Sequence, residues 1–143
     1  MSQTLTDGKS GIQLKRILLN ESLFSLKDYN DIPDPKDFSM NVSFSHNIED
    51  SNYAVKVTVV IRNDKNAEES NLNVSVTMTG LFEKESPLPF PDDQFVKVNG
   101  PAIIYPYIRQ HIRMLSLDSG IPPILLPVVN FSALYEERLK GEN

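Results

Sequence analysis

The sequence contains no cysteine among its 143 residues. A disulfide scaffold, a thiolate nucleophile and a zinc site with cysteine ligands are therefore excluded. It has only two histidines, His46 and His111. His111 has no carboxylate three or four residues away, and His46, which has Glu49 and Asp50 at that spacing, lies in a predicted turn and not on a helix, so the sequence predicts no metal site. We interpret His46 as a solvated turn residue and His111 as a packed or interfacial imidazole on a helix.

Catalytic motifs are also missing from the sequence. There is no phosphate-binding glycine loop and no serine nucleophile elbow. The acidic groups at Glu83-Lys84-Glu85 and Asp92-Asp93 are candidates for a catalytic carboxylate or a calcium ligand, but their predicted loop setting favours a solvated surface. The sequence therefore predicts a protein that is not an enzyme and that needs no cofactor.

No apolar run is long enough to cross a membrane, since the longest, residues 121–129, is interrupted by three prolines. Residues 1–11 are polar and lack the apolar core of a signal peptide. The net charge of -5 argues against binding to duplex nucleic acid. We predict a cytoplasmic protein with a flexible segment, residues 1–11, followed by a single domain, residues 12–143.

Four segments in the first half alternate between apolar and polar residues, as half-buried strands do. The clearest covers residues 53–61, and the others cover residues 72–82, 40–44 and roughly 12–19. The alternation of the first segment slips at Lys15-Arg16, which predicts a bulge. Short polar connectors between the segments predict an antiparallel meander. Three prolines in residues 83–98 predict a crossover without regular strand or helix.

The second half has helical spacing. Pro101 is well placed at the first position of a long helix over residues 102–117, and Gly120 ends it. Asn130 is a suitable N-cap for a short helix that reaches Leu139. Four strands followed by two helices predict an α+β fold, with one long and one short helix packed on one face of the sheet.

The long helix is apolar over much of its circumference, which predicts cover on two sides, by its own sheet and by another subunit. A second apolar set on other faces consists of Ile103, Tyr107 and Met114. We predict that the oligomer interface includes Ile104, Ile108, His111, Ile112 and Leu115.

The loop at residues 120–129 is far more apolar than loops normally are. One interpretation is a lid folded down over the sheet. The other is an exposed wall of an apolar groove that binds extended peptides, with the crossover as the facing wall. The sequence leaves both interpretations open.

Two blocks of sequence resemble the SecB protein-export chaperones. Residues 99–109, Asn-Gly-Pro-Ala-Ile-Ile-Tyr-Pro-Tyr-Ile-Arg, are similar to the start of that family's long helix. Residues 120–135, which begin Gly-Ile-Pro-Pro-Ile-Leu-Leu-Pro, are similar to its helix-connecting loop and second helix. The spacing between the blocks also fits the family.

The resemblance implies a four-stranded antiparallel sheet with two helices, assembled as a dimer of dimers. It implies an ATP-independent holdase that binds unfolded preproteins in apolar grooves and passes them to the SecA motor. The groove residues that it implies are Phe44, Leu88, Phe90, Phe95, Tyr105, Ile121, Ile124, Leu125 and Leu126.

In this family an acidic patch on the outer sheet face engages the motor. Alignment places Glu21 at one acidic position, whereas Ser25 and Ser75 occupy two others, so the patch is thinned. Glu21 is thus the predicted motor contact. Two alternatives stay open: a SecB-like chaperone dedicated to one partner such as an antitoxin, and a small-ligand carrier on the same fold.

Overall fold

The computed structural model describes residues 11–34, 36–64 and 66–141. The predicted flexible segment, residues 1–11, lies outside the described residues except for Gly11. The carbonyl of Gly11 accepts hydrogen bonds from the amides of Glu85 (2.8 Å) and Ser86 (3.2 Å), so Gly11 lies next to the end of the fourth strand.

Four antiparallel strands form one sheet in the order β1-β4-β3-β2. Their bounds are Ile12–Leu26 for β1, Ser39–Glu49 for β2, Asn52–Arg62 for β3 and Leu72–Lys84 for β4. Alternation predicted all four strands, because one face is buried and the other faces solvent. The α+β fold class, with two helices beside a four-stranded sheet, is confirmed.

The strand order corrects the predicted meander. Only β2, β3 and β4 follow one another as neighbours, while β1 lies beside β4 and its connection to β2 crosses the width of the sheet. This is a Greek-key order. Three strand spacings amount to roughly 14 Å, and residues 27–38 are long enough to cover that distance.

Strand β1 is longer and more irregular than its alternation predicted. Its register against β4 shifts between Leu14 and Arg16 and again between Leu19 and Glu21. The first shift confirms the predicted bulge. At the second shift the hydroxyl of Thr79 donates a hydrogen bond of 2.6 Å to the side-chain oxygen of Asn20. Each bulge changes the face of the sheet toward which the following side chains point. The alternation is therefore interrupted, and the sequence pattern did not predict that the strand continues to Leu26.

The predicted irregular crossover is shorter than residues 83–98. Strand β4 runs to Lys84, and helical structure starts with α1, Asp92–Gln94, and a π-helical turn, Phe95–Asn99. The prolines therefore interrupt only residues 85–91. Burial draws the following turn into the core: the Phe95 ring packs edge-to-face on Phe82, with centroids 5.0 Å apart, and on Tyr53, at 5.8 Å.

The long helix α2, Gly100–Asp118, has a proline in its first turn, as the sequence predicted. It lies over β3 and β4. A Cβ atom added to Gly80 of β4 would lie 2.9 Å from Cδ1 of Ile104, so glycine allows the helix to approach the sheet closely.

Gly120 ends α2 with φ of +78°. The Gly120 amide donates to the carbonyl of Leu117, and the Ile121 amide donates to that of Ser116, both at 3.3 Å, which is a Schellman motif. The short helix α3, Phe131–Gly141, is capped by the Asn130 side chain, which accepts from the Ala133 amide at 3.0 Å. Both predicted helix boundary signals are confirmed.

Candidate functional site

The loop that connects α2 and α3 buries some of its apolar side chains and exposes others. Ile121, Ile124 and Leu126 are buried in the core. Leu125 is 67% exposed and Val128 is 84% exposed. The loop therefore combines the two arrangements that the sequence left open, because its anchors cover the sheet while the residues between them face solvent.

Besides the Schellman bonds at its start, two hydrogen bonds hold this loop to α2. The amide of Ile124 donates to the buried hydroxyl of Ser116 at 3.1 Å. The hydroxyl of Tyr105 donates to the carbonyl of Pro127 at 2.6 Å. Burial raises the pKa of Tyr105, and the Arg109 charge acts in the opposite direction, so the neutral phenol that donates this bond is favoured. Leu125 and Val128 are thus presented by an anchored loop.

An aromatic cluster adjoins the anchored loop. Phe131, the first residue of α3, packs edge-to-face on Phe44 of β2 at 6.1 Å and on Tyr105 of α2 at 5.8 Å. The Arg138 guanidinium lies over the Phe44 ring, 4.6 Å from its centroid. Helix α3 therefore covers part of the β2 surface, and Phe44 is half-buried.

The predicted groove residues divide into two sets by exposure. Those that reach solvent within this chain are Phe44, Leu88, Phe90 and Leu125. Those that are buried within this chain are Phe95, Tyr105, Ile121, Ile124 and Leu126. Sequence reasoning did not single out Val128, although the loop's proline-bounded apolar run contains it.

The predicted interface residues lie mainly on the inner side of α2. Ile104, Ile108 and Ile112 are fully buried against this chain's own sheet, because they recur every four residues on the helix face toward it. His111 and Leu115 are half-buried. His111 Nε2 lies 2.8 Å from the hydroxyl of Ser22 on β1.

A different apolar stripe, also on α2, is accessible to another protein chain. It is about half exposed and consists of Ile103, Tyr107, Met114 and Leu117. Leu19 of β1 is also 50% exposed. The sequence contains this second set at helical spacing, but periodicity alone does not say which of two apolar faces meets the sheet.

A depression of about 200 Å³ lies between α2 and the connecting loop, and we call it the α2–loop depression. Its lining residues are Pro106, Arg109, Gln110, Arg113, Ile124, Leu125 and Leu126. The Arg109 guanidinium lies 6.0 Å from the centroid of the Tyr105 ring. This depression therefore joins positive charge to exposed apolar surface.

The acidic pair before α2 forms ion pairs at a partly exposed surface. Asp92 lies 3.5 Å from the Lys84 ammonium, and Asp93 lies 3.0 Å from that of Lys97. The hydroxyl of Tyr135 donates to Asp93 at 3.2 Å. Lys97, and to a lesser extent Tyr135, hold the pKa of Asp93 below its usual range. Asp93 therefore links α3 to the segment before α2, whereas Asp92 links that segment to β4.

Metal ligands are not clustered within the described ranges: no group of three or more histidine, cysteine, aspartate or glutamate residues has a geometry that fits an ion.

Among the helices of residues 11–34, 36–64 and 66–141, none combines the length and apolarity of a membrane span.

The predicted motor contact lies on the outer face of the sheet. Glu21 is exposed and pairs in register with Thr77 of β4. Ser25 pairs with Asn73, and Ser75 pairs with Leu23, so both serines lie on the same face as Glu21. The three positions thus form one surface that carries a single carboxylate.

Comparison with known proteins identifies the family. The family model described as preprotein translocase subunit SecB matches residues 22–142. The chain belongs to the SecB family. The protein-export protein SecB of Neisseria meningitidis serogroup A is 33% identical over 99 residues, which cover 68% of this chain and 67% of that one. The SecB of Methylobacillus flagellatus is 35% identical over 91 residues, 64% of this chain and 57% of that one.

A solved SecB-like structure shares the fold. It is the chaperone Rv1957 of Mycobacterium tuberculosis in complex with a ChAD peptide from the HigA1 antitoxin. The TM-score is 0.62 with 18% sequence identity, and the match covers 83% of this chain and 91% of that chain. SecB family membership makes this protein a chaperone of the protein-export class.

Proposed function

We propose that this SecB family member is an ATP-independent cytoplasmic holdase that binds unfolded polypeptides, including preproteins, on the apolar surface beside the connecting loop. The observation that carries the proposal is the pair of exposed side chains, Leu125 and Val128, on a loop anchored by buried neighbours. Contiguous exposed apolar patches on soluble proteins mark interaction sites.

The binding surface continues across half-buried side chains of other elements. Phe44 and the crossover residues Leu88 and Phe90 supply aromatic and aliphatic contacts. Apolar burial contributes about 25 cal/mol per Å² regardless of the order of client residues, before ordering costs are subtracted. Such a surface binds many extended sequences and needs no nucleotide hydrolysis.

Leu125→Asp and Val128→Asp test this surface. Each should weaken binding of a reduced, carboxymethylated, unfolded client about tenfold, because an apolar contact is lost and a charge is desolvated. Ile124→Asp is a poorer test, because Ile124 is buried in the chain's own core. Client affinity is measured by fluorescence anisotropy.

Ile32→Asp is the matched control, because Ile32 is also exposed (54%) but lies on the segment between β1 and β2. Its client affinity should equal that of the wild type. If all three aspartate variants stay folded and bind clients equally well, the connecting loop is not the binding surface.

We also propose assembly as a dimer of dimers. Strand β1 is a long edge strand: in the sheet of residues 11–34, 36–64 and 66–141 its neighbour is β4, and another copy can extend the sheet on its other side. The stripe of Ile103, Tyr107, Met114 and Leu117 supplies an apolar surface on α2 for a further copy. An assembled chaperone would place several client surfaces on one particle, which favours retention of long clients.

A SecB-like chaperone dedicated to one partner, such as an antitoxin, is the second candidate. It is supported by Ser25 and Ser75 beside Glu21, since neither serine offers negative charge to a SecA-type motor. Isothermal titration with the motor's basic zinc-bearing tail distinguishes the two. Binding that is lost in Glu21→Gln supports export, whereas no binding supports a dedicated partner.

A small-ligand carrier is the remaining alternative. The depressions described on this chain are surface features of a few hundred Å³ rather than closed pockets with convergent polar groups. If the protein does not delay aggregation of any unfolded client at stoichiometric ratio, the holdase proposal is refuted. The small-ligand carrier is then the function to test.

A further inference from the structure

The charge of the α2–loop depression differs from that of the whole chain. The chain has a net charge of -5, yet the lining of the depression includes Arg109 and Arg113 and no carboxylate. Neither guanidinium is within ion-pair distance of a carboxylate of residues 11–34, 36–64 or 66–141. The two arginines therefore create a local positive site on an acidic protein.

The spacing of the two arginines suits a single anion. They are one turn apart on α2, so their Cβ atoms are about 6 Å from each other. Guanidinium groups match the two oxygens of a carboxylate through paired N–H donors. Because Arg109 rests beside the Tyr105 ring, one of the two donors is already oriented toward the loop side of the helix.

The opposite wall of the depression is apolar and accessible. It includes Leu125, which is 67% exposed and belongs to the proposed client surface. In an extended segment, successive side chains point in opposite directions and next neighbours lie within about 7 Å. A client side chain on Leu125 thus brings a nearby side chain of the same segment within reach of the arginines.

We propose that the α2–loop depression is a carboxylate subsite, which binds an aspartate or glutamate side chain of a client next to an apolar residue. This inference rests on the proposed holdase function and adds a preference to it. The apolar surface supplies general affinity, while the arginines select segments in which an acidic residue accompanies an apolar one.

The test uses two labelled unstructured peptides that share an apolar sequence and differ only in one residue, aspartate or asparagine. The wild type should bind the aspartate peptide about fivefold more tightly at low salt, as expected for two partly exposed ion pairs. This preference should fall as salt is added, because exposed charges are screened.

Arg109→Gln/Arg113→Gln should remove the preference and leave the affinity for the asparagine peptide unchanged. Arg113→Gln alone should retain part of it, and this variant keeps the test valid if loss of the Arg109 contact with Tyr105 perturbs the loop. Arg113→Glu should bind a peptide with lysine at the variable position more tightly than the wild type binds it.

Arg16→Gln/Lys56→Gln is the matched control. It removes the same charge from exposed positions on the outer sheet face and should keep the wild-type preference. If it abolishes the preference as well, net charge and not the depression is responsible, and the inference is overturned.

Each remaining outcome is also decisive. If neither peptide binds, the proposed holdase function fails together with this subsite. If both peptides bind equally well to the wild type, the holdase function stands and the subsite is refuted. A third peptide, with asparagine and a free instead of an amidated C-terminus, detects recognition of a chain end; a preference seen only there would overturn the assignment to acidic side chains.

Discussion

A single hydroxyl, that of Ser116, joins the long helix to the loop that follows it. It lies within hydrogen-bond distance of the carbonyls of Ile112 (3.1 Å) and Arg113 (2.8 Å) and accepts from the Ile124 amide. Serine has one proton to donate and two lone pairs to accept with. Its side chain can therefore satisfy a helix carbonyl and a loop amide at the same time.

Ser116→Ala should leave the buried Ile124 amide without its partner. The expected loss is about 1–3 kcal/mol of the free energy of unfolding, because a buried donor would remain unsatisfied. Urea denaturation measures the loss, and amide hydrogen exchange at Ile124 should accelerate. Ser119→Ala is the control, since that hydroxyl donates to Leu115 at an exposed site. Equal stability of both variants would contradict the assigned role of Ser116.

Asp93 supplies a pH-dependent link between α3 and the segment before α2. Its pKa is lowered chiefly by the hydrogen bond from Lys97 and further by that from Tyr135. The stability that these contacts contribute is present above the unfolded-state pKa of the carboxyl group and is lost as the pH falls through the lowered folded-state pKa.

Tyr135→Phe should therefore raise the pKa of Asp93 and move the acid limb of the stability curve to higher pH. The carboxyl ¹³C shift of Asp93 in an NMR titration measures the change directly. Tyr29→Phe, at an 81% exposed position, is the control and should leave the pKa of Asp93 unchanged. An unaltered titration of Asp93 in Tyr135→Phe would show that the tyrosine contact does not affect this carboxylate.

At the scale of elements, the sequence predicted what depends on local pattern. Alternation identified the strands, because each has one buried face, and cap residues located the ends of both main helices. The position of β1 beside β4 was not predicted, because strand neighbours depend on the whole sheet. The helical start at Asp92 was also missed, since burial of Phe95 outweighs the nearby prolines.

The contact of α2 with β4 depends on the absence of a side chain at Gly80. Gly80→Ala would place a Cβ 2.9 Å from Cδ1 of the fully buried Ile104, and it should destabilise the fold by about 1–3 kcal/mol. Ile104→Val removes that Cδ1 atom but leaves Cγ1 at 3.0 Å and Phe82 Cε2 at 2.9 Å, so the cost of Gly80→Ala should shrink only in part in the Ile104→Val background.

A double-mutant cycle by chemical denaturation measures this coupling. Additive effects of Gly80→Ala and Ile104→Val would show that the two residues do not constrain the spacing between helix and sheet.

At the scale of the whole molecule, the exposed stripe on α2 gives the proposed assembly a test. Tyr107→Asp/Met114→Asp should reduce the mass in solution below four times the 16.1 kDa chain mass, because charges would have to be desolvated at an apolar contact. Light scattering measures the mass, and circular dichroism checks the fold. Ala102→Asp, at an exposed position of the same helix that lies off this stripe, is the control.

A wild-type protein that is monomeric at every concentration would refute the proposed assembly. If the double variant keeps the full mass, the subunits contact each other through another surface.

The sequence predicted which region forms the candidate site but not which of its side chains are exposed. Composition singled out the connecting loop, and Leu125 is accessible there, whereas Ile124 beside it is buried. The difference arises from which loop residues meet the sheet, and that depends on the anchors at Ser116 and Tyr105. The two arginines of the α2–loop depression had no local signal, because their importance comes from a loop that crosses above them.

The position of β1 also sets an order of events during synthesis. The hairpins of β2, β3 and β4 can close as soon as each strand leaves the ribosome. Strand β1, the first to emerge, has its partners across the register from Ile12↔Lys84 to Leu26↔Leu72, so it waits until nearly three fifths of the chain exists. This SecB family member thus passes through a stage in which its edge strand has not yet paired with β4, and in the proposed assembly subunits join along that edge only after this stage ends.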